Sequence, residues 1–256
     1  MVDLRRTRRA RVGAFVALAA VIAAVGGAHT AASVSDPTAT LVGLAQAPPP
    51  GLALTLSTAA VAAWTTAERR GLLSSPALRR AGAKVWRSAG LGTSPPKVAL
   101  AATGGVERAT VRTPRAWAEV ALLPPTEARR GRPSLAVAAV AVGPAGTART
   151  RLQVLARAVA AWGSPQVGVT LSGTARTTLP PRTVAAILLR SLGARYVEGV
   201  AGERAADVFG RLRGAPAVAV AGRRLNVEIA VARRAHGLLV EVGFPFVLPI
   251  SGRSWA

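Results

Sequence analysis

A chain of 256 residues, half of them hydrophobic and 17% charged, is long enough to bury a core and is too apolar for a disordered protein. With no cysteine it holds no disulfide, no thiolate-bound metal and no thiol nucleophile. A net charge of +22, from 33 basic and 11 acidic residues, points to polyanionic partners such as nucleic acid, anionic lipid or acidic wall polymers.

The arginine excess has a second reading. Only Lys84 and Lys97 are lysines, and the chain is heavy in Ala, Gly, Pro and Val, which GC-rich coding also produces. The N-terminus carries five arginines before residue 12, then the apolar run Val12 to Ala28, then small residues. That order is a secretory signal, with cleavage expected after Ala28 or Ala32, or else an uncleaved N-terminal anchor. Either way the remainder is exported, and Arg8-Arg9 is compatible with the twin-arginine route. Residues 1–32 hold five Arg and one Asp, so their removal lowers the charge only to +18. Residues 33–256 are read as one domain.

Asp36 and Pro37 cap and start a short helix that ends before Pro48-Pro49-Pro50. "LALTLSTAAVAAW", residues 52–64, is a strand. Ser75 and Pro76 start a helix that repeats Leu78, Ala81, Val85 and Ala89 on one face and carries Arg80, Lys84 and Arg87 on another. Residues 97–142 hold four strands, with a Gly104-Gly105 hairpin turn and breaks at prolines 124, 125 and 133. A helix over about 148–162 buries Leu152, Leu155, Val159 and Trp162. "VGVTLSG", 167–173, is a strand, and a helix after Pro180-Pro181 buries Val184, Ile187 and Leu188 and stops at Gly193. A last helix, about 203–213, turns Val208, Phe209 and Leu212 inward.

Internal echoes suggest two related halves. "LTLST" at 54–58 matches "VTLSG" at 169–173, and Arg87-Ser88-Ala89-Gly90 matches Arg190-Ser191-Leu192-Gly193. The offsets are 115 and 103, so a duplication would include an indel near residues 65–75.

The C-terminal stretch is the most regular. Leu225, Val227, Ile229 and Val231 alternate with Asn226, Glu228, Ala230 and Ala232, the period of a half-buried strand. With a four-residue loop, Arg234 to Gly237, Val231 opposes Val240, Ile229 opposes Val242, Val227 opposes Phe244 and Leu225 opposes Phe246. A shorter Arg-Ala turn would oppose Glu228 and Glu241 and lack the usual Gly or Asn. Both Phe244 and Phe246 then fall on the apolar face. Trp64 and Trp86 also suit core positions, and Trp255 is free to be exposed.

This segment, "LNVEIAVARRAHGLLVEVGFPFVLPIS", resembles the C-terminal signature of the YwmB-like family, with Asn226, Val227, Ile229, Ala230, Gly243 and Pro245 in place. Glu228 stands where that family has Gln, and Phe246-Val247 where it has two aliphatics. The resemblance implies an exported α+β protein of uncharacterised function. Its fold would be similar to TATA-box-binding protein: a curved antiparallel sheet packed by helices on one side, in two related halves. It does not imply DNA binding.

Chemistry-bearing constellations are sparse. Of the acids only Glu198, Glu203 and Asp207 lie near one another. Glu203 and Asp207, four apart on the expected last helix, share a face that reads as solvated or ion-paired with Arg204 and Arg211, whereas a cell-wall hydrolase would need one carboxyl in an apolar pocket and another at a set distance. His236 reads as a turn residue, and no phosphate loop, nucleophile elbow or metal-binding motif is present. No catalytic residue, cofactor or metal is expected. The expected activity is binding of an anionic wall or membrane-surface component, or of another exported protein, by Arg79, Arg80, Lys84 and Arg87. The same four side chains could merely solvate their helix. Nucleic-acid binding through the sheet, with Phe244 and Phe246 as wedges, is the other binding mode.

Overall fold

The computed structural model describes residues 37–68, 73–92, 97–103, 105–124, 133–220 and 222–248. Residues 1–32, Asp36, Gly104, Pro125 and Trp255, on which some expectations rest, lie outside them. Among the described residues the fold is α+β, a large antiparallel sheet with four helices. In chain order the elements are α1 Pro37–Gln46, β1 Ala53–Glu68, α2 Ser75–Ser88, β2 Ala99–Thr103, β3 Val106–Thr113, β4 Ala116–Leu123 and β5 Ser134–Pro144. They continue with α3 Ala148–Ala160, β6 Gln166–Arg176, α4 Pro181–Ser191, β7 Arg195–Ala201, β8 Ala205–Arg211, β9 Val218–Val220, β10 Arg223–Leu225, β11 Val227–Arg234 and β12 Gly237–Phe244.

Ten strands form one sheet in the order β2-β3-β4-β5-β1-β6-β12-β11-β8-β7, and every pair is antiparallel. From β1 at the centre, α2 carries the chain to the edge strand β2, and β3, β4 and β5 lead back to β1. After α3, β6 pairs with the other side of β1. Helix α4 then carries the chain to the opposite edge at β7, and β8, β11 and β12 lead back to β6.

Alternation along the strands sorts their side chains into two faces. Ala59, Val61, Ala63, Ala118, Val120, Val169, Leu171, Val240 and Val242 point to the helices. There they form one core with Leu41, Leu78, Val85, Leu155, Val159, Val184 and Leu188, each Leu worth roughly 1.5–3 kcal/mol of burial. Small residues let the layers approach: a Cβ on Gly82 of α2 would lie 3.4 Å from the Ala109 Cβ of β3. Among the described residues the other face holds two small clusters, around Ala60 and Ala62 and around Ala121 and Leu123, with no helix residue in either.

Several expectations are corrected. Residues 205–211 form strand β8, not a helix, with Ala206, Val208 and Gly210 inward and Phe209 on the opposite face. A β-branched and aromatic segment fits either state locally, and pairing with β11 (Ala206 to Val231, Val208 to Ile229) decides for the strand. The final hairpin has the expected register, Arg233 opposite Leu238 and Ile229 opposite Val242, but it gains Arg234 opposite Gly237 and so turns on only Ala235 and His236. Its outer end also differs. Leu225 belongs to β10, opposite Val218 in a separate two-stranded sheet, and Phe246 leaves the ladder after the cis Phe244–Pro245 peptide bond. Ile187 and Trp162 are half-buried rather than buried, as is Trp64, whereas Trp86 is fully in the core.

Candidate functional site

The four nominated cations all lie on α2 and are exposed. At 100° per residue, Arg80, Lys84 and Arg87 share one face, and Arg79 is offset by about a quarter turn. Two of the four are held in place. The Lys84 ammonium lies 5.8 Å from the ring centroid of Trp162, just past α3, and Arg87 Nε donates to the Ala83 carbonyl at 3.4 Å. These contacts leave both charges at the surface.

The wider pattern is clearer than the four residues. Helices α2, α3 and α4 carry nine basic side chains, namely Arg79, Arg80, Lys84, Arg87, Arg149, Arg151, Arg157, Arg182 and Arg190, all exposed, and none of the described helices contains Asp or Glu. The described acids lie elsewhere: Glu203 in the β7–β8 turn, and Glu68, Glu107, Glu119, Glu198, Asp207, Glu228 and Glu241 in strands. The sequence contained this segregation, but it becomes a surface only when helices α2 to α4 lie on one side of the sheet.

The carboxylates considered for hydrolysis do not share a helix face. Glu198 on edge strand β7 pairs with Arg223 at 3.0 Å, and Glu203 pairs with Arg182 of α4 at 3.3 Å. The Arg182–Glu203 pair is exposed, and Glu198 is half-buried beside the exposed Arg223. His236 is an exposed turn residue. Among the described residues no group of three or more His, Asp or Glu is placed to hold a metal ion. None of the described helices is long and apolar enough to cross a membrane.

Glu119 on β4, which sequence spacing did not single out, is a carboxyl with a displaced proton affinity. Burial pushes it above the ordinary carboxylate range, opposed by the Arg108 guanidinium and by a hydrogen bond from the Thr110 hydroxyl at 3.4 Å. Its neutral form therefore favours folding. That contribution is present at acid pH and is lost as pH rises through the raised value. Glu119→Gln is expected to gain stability relative to the parent as pH rises through and above the ordinary carboxylate range, read as a Tm difference that grows with pH. A Tm difference that does not change with pH would contradict this.

Polar and aromatic residues of the C-terminal segment make contacts within the fold. Asn226 is completely buried. Its Oδ1 accepts the Leu212 N–H at 2.6 Å, and its Nδ2 donates to the Leu212 and Ala215 carbonyls at 3.0 and 3.2 Å. Glu228, also buried, accepts the Val247 N–H at 2.9 Å. Phe244 is in the core, and Phe246 packs edge-on against Phe209 at 6.5 Å. Phe244 is thus taken up by the core, whereas Phe246 is half-buried. No protein-family model matches the chain, and no curated protein is significantly similar to it.

Proposed function

We propose that this chain is an exported, non-catalytic binding domain of the envelope, of YwmB-like type, whose helix layer holds an anionic wall or membrane-surface component. The observation that carries this reading is the charge segregation: nine exposed cations and no acid on the four helices. Such a surface attracts phosphate and carboxylate groups by several kT and orients the molecule toward them. Export rests on the leader pattern in residues 1–32.

The finer architecture proposed is TATA-box-binding-protein-like, with halves 53–144 and 166–244. Its support is topological and local. Reading inward from either edge, the strand order gives the same connectivity, with β1 and α2 corresponding to β6 and α4. Both helices end alike, on Gly90 and Gly193 at φ +61° and +66°, with Leu91 N–H to Trp86 O and Ala194 N–H to Leu189 O. These are the residues of the second sequence echo, and the first echo lies in the central β1–β6 pair.

The test uses residues 33–256 with wall fragments, anionic vesicles and duplex DNA at two salt concentrations. Near an anionic surface each cation contributes about 1 kcal/mol, so changing Arg80, Lys84 and Arg87 to Gln together is expected to weaken retention about 100-fold. Equal retention of the parent and the triple variant overturns the assignment to α2. Preference for DNA with duplex bending would favour the sheet-face reading instead. Retention on all three ligands only at low salt would reduce the basicity to nonspecific charge.

A further inference from the structure

When helices cover one face of an antiparallel sheet, polar side chains on the other face are normally wet. Here Thr170, Ser172, Glu228 and Glu241 alternate with helix-facing residues and so point away from the helices, yet they are buried, Thr170 completely and Glu228 to 7% exposure. Over Thr170 and Glu228 the cover is the chain's own Pro245–Leu248, which turns back from β12 across the sheet. It does not extend the ladder at an edge. Side chains hold it: the Glu228 carboxylate accepts the Val247 N–H at 2.9 Å, and the Thr170 hydroxyl accepts the Leu248 N–H at 2.6 Å. The same hydroxyl donates to the Phe246 carbonyl at 3.4 Å. Leu248 itself sits on Ala60 and Ala62, walled by Trp64, Val140 and Val142. Gly243 leaves room for the crossing, because a Cβ there would collide with the backbone of Phe246 and Val247.

Two side-chain acceptors aimed at successive backbone N–H groups, beside a depression for one aliphatic side chain, make up the chemistry of a peptide site. A carboxylate buried at this place is costly unless it is hydrogen-bonded, and the strap contributes such a bond. We propose that this seat is a binding site for an extended apolar peptide segment, filled in the free chain by Pro245–Leu248 and open to a segment of the same chemistry in trans. The cis strap has an effective concentration of about millimolar, so it masks any ligand of micromolar affinity. A trans segment gains access when the strap is weakened or outcompeted.

The test uses the full chain carrying Val247→Pro and Leu248→Ser, which removes one donor and the aliphatic side chain, together with a labelled peptide of sequence Phe-Pro-Phe-Val-Leu-Pro-Ile. The peptide is expected to bind the variant at micromolar concentration and the parent at least tenfold more weakly. A peptide with the same two replacements should bind neither protein. A variant that unfolds cooperatively but binds no peptide overturns the proposal, as does equal binding to parent and variant. If that variant fails to fold, hydrogen exchange on the full chain decides. Thr170→Val should speed exchange of the Leu248 amide at least tenfold while the Val242 amide keeps its rate. If the Leu248 and Val242 amides of the parent exchange together, the strap opens only on global unfolding and there is no exchangeable seat.

Discussion

Replacing Asn226 by leucine is expected to lower the unfolding free energy by about 3–5 kcal/mol. The substitution keeps the branched outline of the side chain and removes three hydrogen bonds from a position that water does not reach. The cost does not come from the lost bonds alone. The Leu212 N–H and the Leu212 and Ala215 carbonyls lose their side-chain partner inside the fold, and each unsatisfied group costs roughly 1–3 kcal/mol. For a domain of this size that is a fall of about 10 °C in Tm. A fall of less than about 2 °C in a thermal melt would mean that water or a shifted loop replaces the amide. The loop at 212–215 would then not be anchored to the start of β11 in the way these bonds indicate.

Gly173→Ala is expected to destabilise by about 3 kcal/mol or more through overpacking. Gly173 lies on β6 opposite Leu56 of β1, at the step where the central register shifts between Leu56 and Thr58. A Cβ there would run into the Thr55 carbonyl and the Leu56 Cα, which are backbone atoms in the middle of the sheet and cannot swing aside as a side-chain tip can. The internal control is Gly43→Ala on α1, where a Cβ would meet nothing within 4 Å. It should be neutral or slightly stabilising, by up to about 1 kcal/mol. Equal Tm values for the two variants would show that the β1–β6 approach is looser than this packing implies.

The charge distribution and the covered sheet face bear on the proposed function from opposite sides of the molecule. If anionic ligands bind the helix layer, the sheet is free for a different partner, and the strap at 245–248 sets the terms on which that partner binds. Mutations on α2 and at Thr170 should therefore affect two separable binding activities. Charge replacement should alter salt-dependent retention and leave peptide exchange unchanged.

Much of the fold was legible in the sequence because the signals were local. Prolines 37, 76 and 181 mark helix starts, and glycines 90 and 193 mark ends. The 227–242 alternation fixed both the face and the register of the last hairpin, since a slip that inverted its faces would expose Val227, Ile229 and Val231. Residues 205–211 were misread because a seven-residue segment with Val208 and Phe209 satisfies a helix or a strand equally well. Only the vacant edge of β11 chooses between them. The candidate site divided the same way. The cations of α2 could be read from helical spacing, whereas the seat formed by Glu228, Thr170 and Ala60 draws on residues more than 150 positions apart.

Taken by itself, the sequence determined the periods, the breaks and the sign of the charge, because each of these depends on neighbours within a turn or a strand. Tertiary structure alone decided that nine cations share one side, that Phe246 leaves the ladder to meet Phe209, and that Pro245–Leu248 crosses the face opposite the helices. The physical reason is that burial on that outer face depends on a chain returning from far away, and no local pattern of residues records its arrival.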